Sequence, residues 1–216
     1  MRTIKVTGKS KLSVSPDQTK IKLCVKSFGE NYSTALANSK FDAKSIKEVL
    51  KSCGIKEKEL KSTDFYTNER TERYEKENGK YAYRSLGYEV THYMKLIFDN
   101  DNKFLGKLLY RLSNLDCAPS IDISHIVKNP ELYKSELIEL AVVDAKRKAQ
   151  SLVNASGVVL GNIIHMDYSF QKITFEARHY ARVDYCKVSS EESYDMDMTP
   201  DDIDVSDVVT IEWEIL

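Results

Sequence analysis

Histidine is the side chain best suited to metal ligation or proton transfer near neutral pH, and the chain has four: His92, His125, His165 and His179. None stands in a spaced ligand motif such as HExxH, so structural or surface roles are expected for all four. His92 falls among apolar residues of a strand-like alternation, which suits a hydrogen-bonded core histidine. Asp195, Asp197, Asp201, Asp202 and Asp204 offer many oxygens, and calcium takes six to eight. The loop glycine and the closing glutamate of a calcium loop are missing, so a solvated acidic loop is expected, with room for a weak adventitious cation. No nucleophile elbow and no glycine-rich phosphate loop occurs. The expectation is therefore no catalytic residue, no metal and no cofactor.

One constellation remains. Tyr66, Tyr74, Tyr81, Tyr83, Tyr88 and Tyr93 alternate with Arg70, Arg73, Lys76, Lys80 and Arg84. Aromatic and basic residues interleaved in this way resemble a surface on which nucleic-acid bases stack. Charge decides against it: residues 69 to 84 hold five bases and four acids, whereas a groove that tracks phosphates needs a net basic face. Tyrosine and arginine are also enriched in protein interfaces. Tyr66, Arg70, Arg73, Tyr74, Tyr81, Tyr83 and Arg84 are therefore the candidate protein-interface residues. A plain solvated arm is the other reading of the same residues.

Those residues belong to a hairpin. Asn78-Gly79 is the strongest short hairpin signal, which places the turn at Glu77 to Lys80 and the arms across residues 60 to 98. Leu86, Tyr88, Val90, His92, Met94 and Leu96 alternate with more polar neighbours, so the second arm is expected to enter the core as it proceeds. The polar tip is expected to project. Before the hairpin, Ile4 and Val6 form one alternation, and Thr19, Ile21, Leu23 and Val25 another, punctuated by Gly8 and by Ser15-Pro16-Asp17. Residues 31 to 53 carry Leu36, Ala43, Ile46 and Leu50 on a helical stripe that stops at Gly54.

After the hairpin come a helix from about Asn102, with Phe104, Leu105, Leu108, Leu109 and Leu112 buried, and a short strand at Ile121 to Ile126. A long helix follows. Asn129 and Pro130 suit its N-cap and first position, Glu131 and Glu136 favour its positive end, and Gly157 ends it. Ile138, Ala141, Ala145, Ala149 and Leu152 form its expected packing stripe. A strand follows at Leu160 to Ser169, then a loop or flap at Lys172 to Pro200, and a terminal strand at Val205 to Ile215. Lys20, Lys22 and Lys26 on one strand and Glu212 and Glu214 on another suggest that those two strands are neighbours.

The composition, with 42% hydrophobic and 30% charged residues, eight glycines and four prolines in 216 residues, is that of an ordinary globular protein. Charge is unevenly placed. Residues 1 to 187 hold all 32 bases and a balance of +9, while the last 29 residues hold ten acids and no base, which invites pairing within or between chains. No membrane span and no leader is read at the start, so the chain is expected in the cytoplasm. A removed leader would place it in the cell envelope or outside the cell. Cys24, Cys53, Cys117 and Cys186 lie at least 29 residues apart, and free thiols are the expectation.

Taken in order, several residues resemble the SIMPL-domain family. They are Val6-Thr7-Gly8 with Val14-Ser15-Pro16-Asp17, Ala35 and Asn38 with Leu50 and Gly54-Ile55, and Gly87-Tyr88. Ala141, Asp144, Ala145, Lys148 and Ala149 ahead of Gly157-Val158 and Leu160-Gly161 complete the set. The resemblance spans nearly the whole chain and implies one domain, residues 1 to 216. It implies an α+β fold, an antiparallel β-sheet packed with helices; the long projecting hairpin and a C-terminal strand in the sheet complete the expectation. It implies a family of mostly unknown role, with many bacterial members exported, some linked to stress tolerance, some forming large rings, and an animal relative that is a signalling adaptor. It offers no catalytic residues to carry over. The chain differs from many bacterial members in its start and in its basic-then-acidic segment at residues 172 to 204.

The functional expectation is a non-enzymatic binding or assembly module, a homo-oligomer or a protein's partner, with no nucleic acid and no membrane span. The alternative is a small-ligand binder or an enzyme whose site is built from scattered residues.

Overall fold

The computed structural model describes residues 2–168, 173–178 and 199–216. Over these the chain folds into two antiparallel sheets and three helices, an α+β architecture. Contacts group the chain into two compact units, one made of residues 1–17, 125–177 and 200–216, the other of residues 18–124 and 178–199.

The first unit contains β1 (Thr3–Val14), α3 (Pro130–Ser156), β6 (Leu160–Asp167) and β8 (Ile203–Ile215), its sheet ordered β1-β8-β6. β1 runs straight through Gly8, which the sequence suggested as punctuation. The glycine serves close approach instead: a Cβ there would collide with the Ala141 carbonyl oxygen and lie 2.7 Å from Ala145 Cβ. A helix lined with alanine therefore lies directly on a strand that lacks a side chain. Val6, Val209, Ile211 and Trp213 complete that core, and Val14, Val127, Leu137, Phe175, Ile203 and Val205 form another. The buried stripe of α3 is Leu137, Ala141, Ala145, Ala149 and Val153, so Ile138 and Leu152 each miss it by one position. Each step of four turns the line of contact by about 40° at 3.6 residues per turn, so the buried stripe winds round α3 instead of running straight along it. Pro130 stands at the start of α3 and Gly157 caps its end at φ 70°, but the Asn129 side chain makes no capping hydrogen bond.

β8 pairs with β1 on one side and β6 on the other. The expected pairing of the strand bearing Lys20, Lys22 and Lys26 with Glu212 and Glu214 is therefore wrong. Glu212 faces Lys5 and Glu214 faces Thr3. β1 has the same alternation of apolar and basic residues as the strand that was expected there, and alternation specifies a face rather than a neighbour.

The second unit contains β2 (Gln18–Gly29), α1 (Tyr32–Ser52), a 3-10 turn at Glu57–Glu59, β3 (Lys61–Glu75), β4 (Tyr81–Asp99), α2 (Asn102–Ser113) and most of β5 (Ser120–Ile126). Its strands follow the order β3-β4-β2-β5; the short β7 (Glu176–Arg178) has two of its three residues in the first unit. β7 falls within the segment expected to be a loop; residues 179–198, which hold most of that segment, lie outside the described residues.

α1 is capped by the Asn31 side chain, which accepts from the Thr34 N–H. It ends with the Ile55 N–H on Leu50 O and the Gly54 N–H on Lys51 O, a Schellman closure with Gly54 at φ 89°. Ala35, Ser39, Ile46 and Leu50 are its buried residues, whereas Leu36 and Ala43, expected in the core, are half-buried. α2 buries Leu105, Leu108, Leu109 and Leu112 as expected. Along β4, Val90, Met94 and Leu96 are buried, but Leu86 is exposed, because it sits at a bulge between the pairs Arg70–Gly87 and Thr71–Ser85.

Candidate functional site

The hairpin of β3 and β4 closes where the sequence places it: the Gly79 N–H donates to Lys76 O, with Gly79 at φ 73°. Along β3 only Thr67 is even half-buried. The register sorts the candidate residues by face, since residues directly opposite in an antiparallel pair share one. Arg73 faces Tyr83, and Glu75 faces Tyr81. The Arg73 guanidinium lies 3.7 Å from the centre of the Tyr81 ring, a cation–π contact that holds both side chains in place. Glu72 faces Arg84 on the opposite side, and the Arg84 Nε donates to Glu72 Oε2 at 2.7 Å. Arg84 also stands 5.9 Å from the Tyr74 ring. Tyr83 is 71% exposed and Tyr81 58%.

Two of the expected interface residues do not join these clusters. Arg70 pairs with Glu89 at 3.6 Å. Tyr66 lies eight residues from Tyr74, about 26 Å at the rise of an extended strand, with its ring 5.9 Å from that of Tyr93. Hydrogen bonding with Tyr66 and then Cys24 raises the Tyr93 phenol well above its ordinary range. The structure thus makes a two-faced tip from Arg73, Tyr81 and Tyr83 on one side and Tyr74 and Arg84 on the other, with Tyr66 apart.

The sequence reading missed a cavity of about 410 Å³ at the base of the hairpin, lined by Leu36, Ser39, Lys40, Ala43, Lys44, Lys47, Glu57, Phe65 and His92. His92 is here rather than in the core. Its Nε2 is 2.8 Å from Ser62 Oγ, and the Phe65 ring packs edge-on against it at 5.3 Å. Burial, and then the nearby Lys47 charge, lowers its pKa below the usual histidine value. A signal did exist: Lys40, Lys44 and Lys47 recur at helical spacing beside the apolar stripe of the helix.

His125 is buried in β5, and His165 is exposed opposite Glu212; His179 lies outside the described residues. Asp204 forms an ion pair with Lys11 at 2.9 Å and Asp202 accepts from the Ser15 hydroxyl, while Asp195 and Asp197 lie outside the described residues. Among the described residues no group of three or more histidines, cysteines or acids is placed to hold a metal ion. Cys24, Cys53 and Cys117 are free thiols, and Cys186 lies outside the described residues. No described helix is long and apolar enough to cross a membrane.

The family described as SIMPL, protein of unknown function (DUF541), matches the chain over residues 4–213. No curated protein matches it. The chain belongs to the SIMPL family.

Proposed function

We propose that this SIMPL-family chain is a non-enzymatic binding and assembly module that self-associates through the tip of the β3–β4 hairpin. The observation that carries this reading is the exposure of stacked tyrosine–arginine pairs on both faces of a ribbon. Buried tyrosine and arginine anchors dominate binding energy in protein interfaces, and side chains already held by stacking lose less freedom on docking. Charge pattern supports recognition by side chains over strand addition. β3 is an edge strand whose tip half carries Glu69, Arg70, Glu72, Arg73 and Glu75, the kind of charge that blocks edge-to-edge pairing. The free thiols of Cys24, Cys53 and Cys117 support a reducing, cytoplasmic compartment.

Light scattering coupled to size exclusion tests the proposal. The full chain is expected to have a mass above that of one chain, and deletion of residues 70 to 84 is expected to reduce it while circular dichroism stays folded. A folded deletion variant that keeps the full mass, or a full chain that stays monomeric at high concentration, overturns it.

A further inference from the structure

We propose that the cavity between α1 and the base of the hairpin binds a small organic monoanion with an apolar body, a medium-chain or aryl carboxylate. The site is separate from the hairpin tip. Its volume, about 410 Å³, lies within the range of small-molecule pockets, which are apolar clefts with a few converging polar groups.

The lining has that division. Leu36 and Ala43 on α1 and the Phe65 ring on β3 line the cavity as an apolar surface, and Phe65 is 52% exposed among the described residues. An apolar body laid there is removed from water, which favours binding. The polar groups converge from the same helix. Lys44 pairs with Glu48 at 3.7 Å and Lys47 with Glu57 at 2.8 Å, so those two cations are balanced. Lys40 has no ion-pair partner among the described residues, and it lines the cavity. Ser39, only 3% exposed, lines it too and makes no side-chain hydrogen bond among the described residues.

One surplus cation and one unpartnered hydroxyl in the cavity wall match a single compact anion. Glu57 at the rim works against a more highly charged ligand. His92 adds no charge when neutral, and its Nε2 is occupied by Ser62, so it serves as part of the wall.

Equilibrium dialysis with radiolabelled octanoate tests the site in the full chain. About one equivalent per chain should bind saturably. Octylammonium, with the same body and the opposite charge, and acetate, with the charge but no body, should not compete. Ala43→Trp, which fills the cavity, should abolish binding, and Lys40→Glu should weaken it at least tenfold, each checked for folding by circular dichroism. Lys40 is exposed and its substitution leaves the core alone, so that variant carries the test if Ala43→Trp misfolds. Octanoate uptake that does not saturate, that octylammonium displaces, or that Lys40→Glu leaves unchanged overturns the proposal.

Discussion

A single methyl group added at position 8 would have to displace the backbone of α3, because its carbon would overlap the Ala141 carbonyl and crowd Ala145. Overpacking of this kind costs about 1 to 3 kcal/mol where side chains yield, and here the obstacle is a helix backbone. Gly8→Ala is therefore expected to cost about 3 kcal/mol or more, a fall of roughly 6 to 12 °C in the melting temperature of a chain this long. The polar pins beside Gly8 act on the same junction. The Lys9 N–H donates to Asp144 at 2.9 Å, Lys148 donates to Asp144 at 2.6 Å, and Arg147 donates at 2.8 Å. These bonds, Lys148 first, hold the Asp144 carboxyl well below the usual carboxylate range. A depressed carboxyl stabilises the fold above its unfolded pKa of about 4 and loses that contribution as pH falls. Asp144→Asn should thus lower the melting temperature at pH 7 and narrow its gap from the parent as pH drops from about 4 to 2. Cys117 is the residue-scale counterpart in reactivity. Burial first, then Asp42, pushes its thiol up to about 11, so at pH 8 only about one part in a thousand is thiolate. Alkylation of native protein should leave Cys117 nearly untouched, and a fast-reacting Cys117 in mass spectra would contradict its burial.

At the scale of elements, the signals that depend on neighbours in sequence were legible. Asn31 and Gly54 bound α1, Gly157 ends α3, and Asn78-Gly79 turns the hairpin, because caps and turns are satisfied within a few residues. The resemblance to the SIMPL family also rested on residues whose purpose is now visible. Gly8 with Ala141 and Ala145 lets α3 touch β1. Ala35 packs on Gly29, where a Cβ would meet the Ala35 backbone, and Asn38 donates to Phe28 O at 2.8 Å. They are devices for docking a helix on a strand, which explains why they pointed to a fold and to no reaction. Strand partners were not legible, since β1 and β2 carry the same alternation and only the three-dimensional core chooses between them. The candidate tip was half legible: alternation placed its residues, but the bulge at Leu86 was signalled in residue type only by the neighbouring Gly87, at φ 112°. The position of β8 between two strands gives a direct consequence. Removing residues 209 to 216 should leave no soluble folded protein, since it strips Val209, Ile211 and Trp213 from the core and unpairs β6 and the first half of β1, Thr3 to Gly8. Glu212→Lys should be far milder. Opposite charges across a strand pair contribute roughly 0.2 to 1 kcal/mol, so its loss of melting temperature should be small at low salt and should shrink as salt screens Lys5.

For the whole molecule, the acidic end of the chain finds some of its counter-charges close at hand in the first unit: Asp204 with Lys11, and Glu212 opposite Lys5. More consequential is how the chain is threaded. The first unit is assembled from three stretches far apart in sequence, and the division falls inside β5, between Ser124 and His125. A strand is a poor place for a boundary, since domain boundaries fall in exposed linkers that few contacts cross. Neither unit can be cut out as one continuous piece without severing a strand. The expectation is therefore a single cooperative unfolding event for the full chain, with the calorimetric enthalpy equal to the van't Hoff value. Gly8→Ala sharpens the measurement, because its clash lies wholly within the first unit. In a cooperative molecule it should lower the one transition without splitting it. Two resolved transitions, with only one displaced by Gly8→Ala, would show that the units melt independently and that residues 1 to 216 are not one domain in the thermodynamic sense.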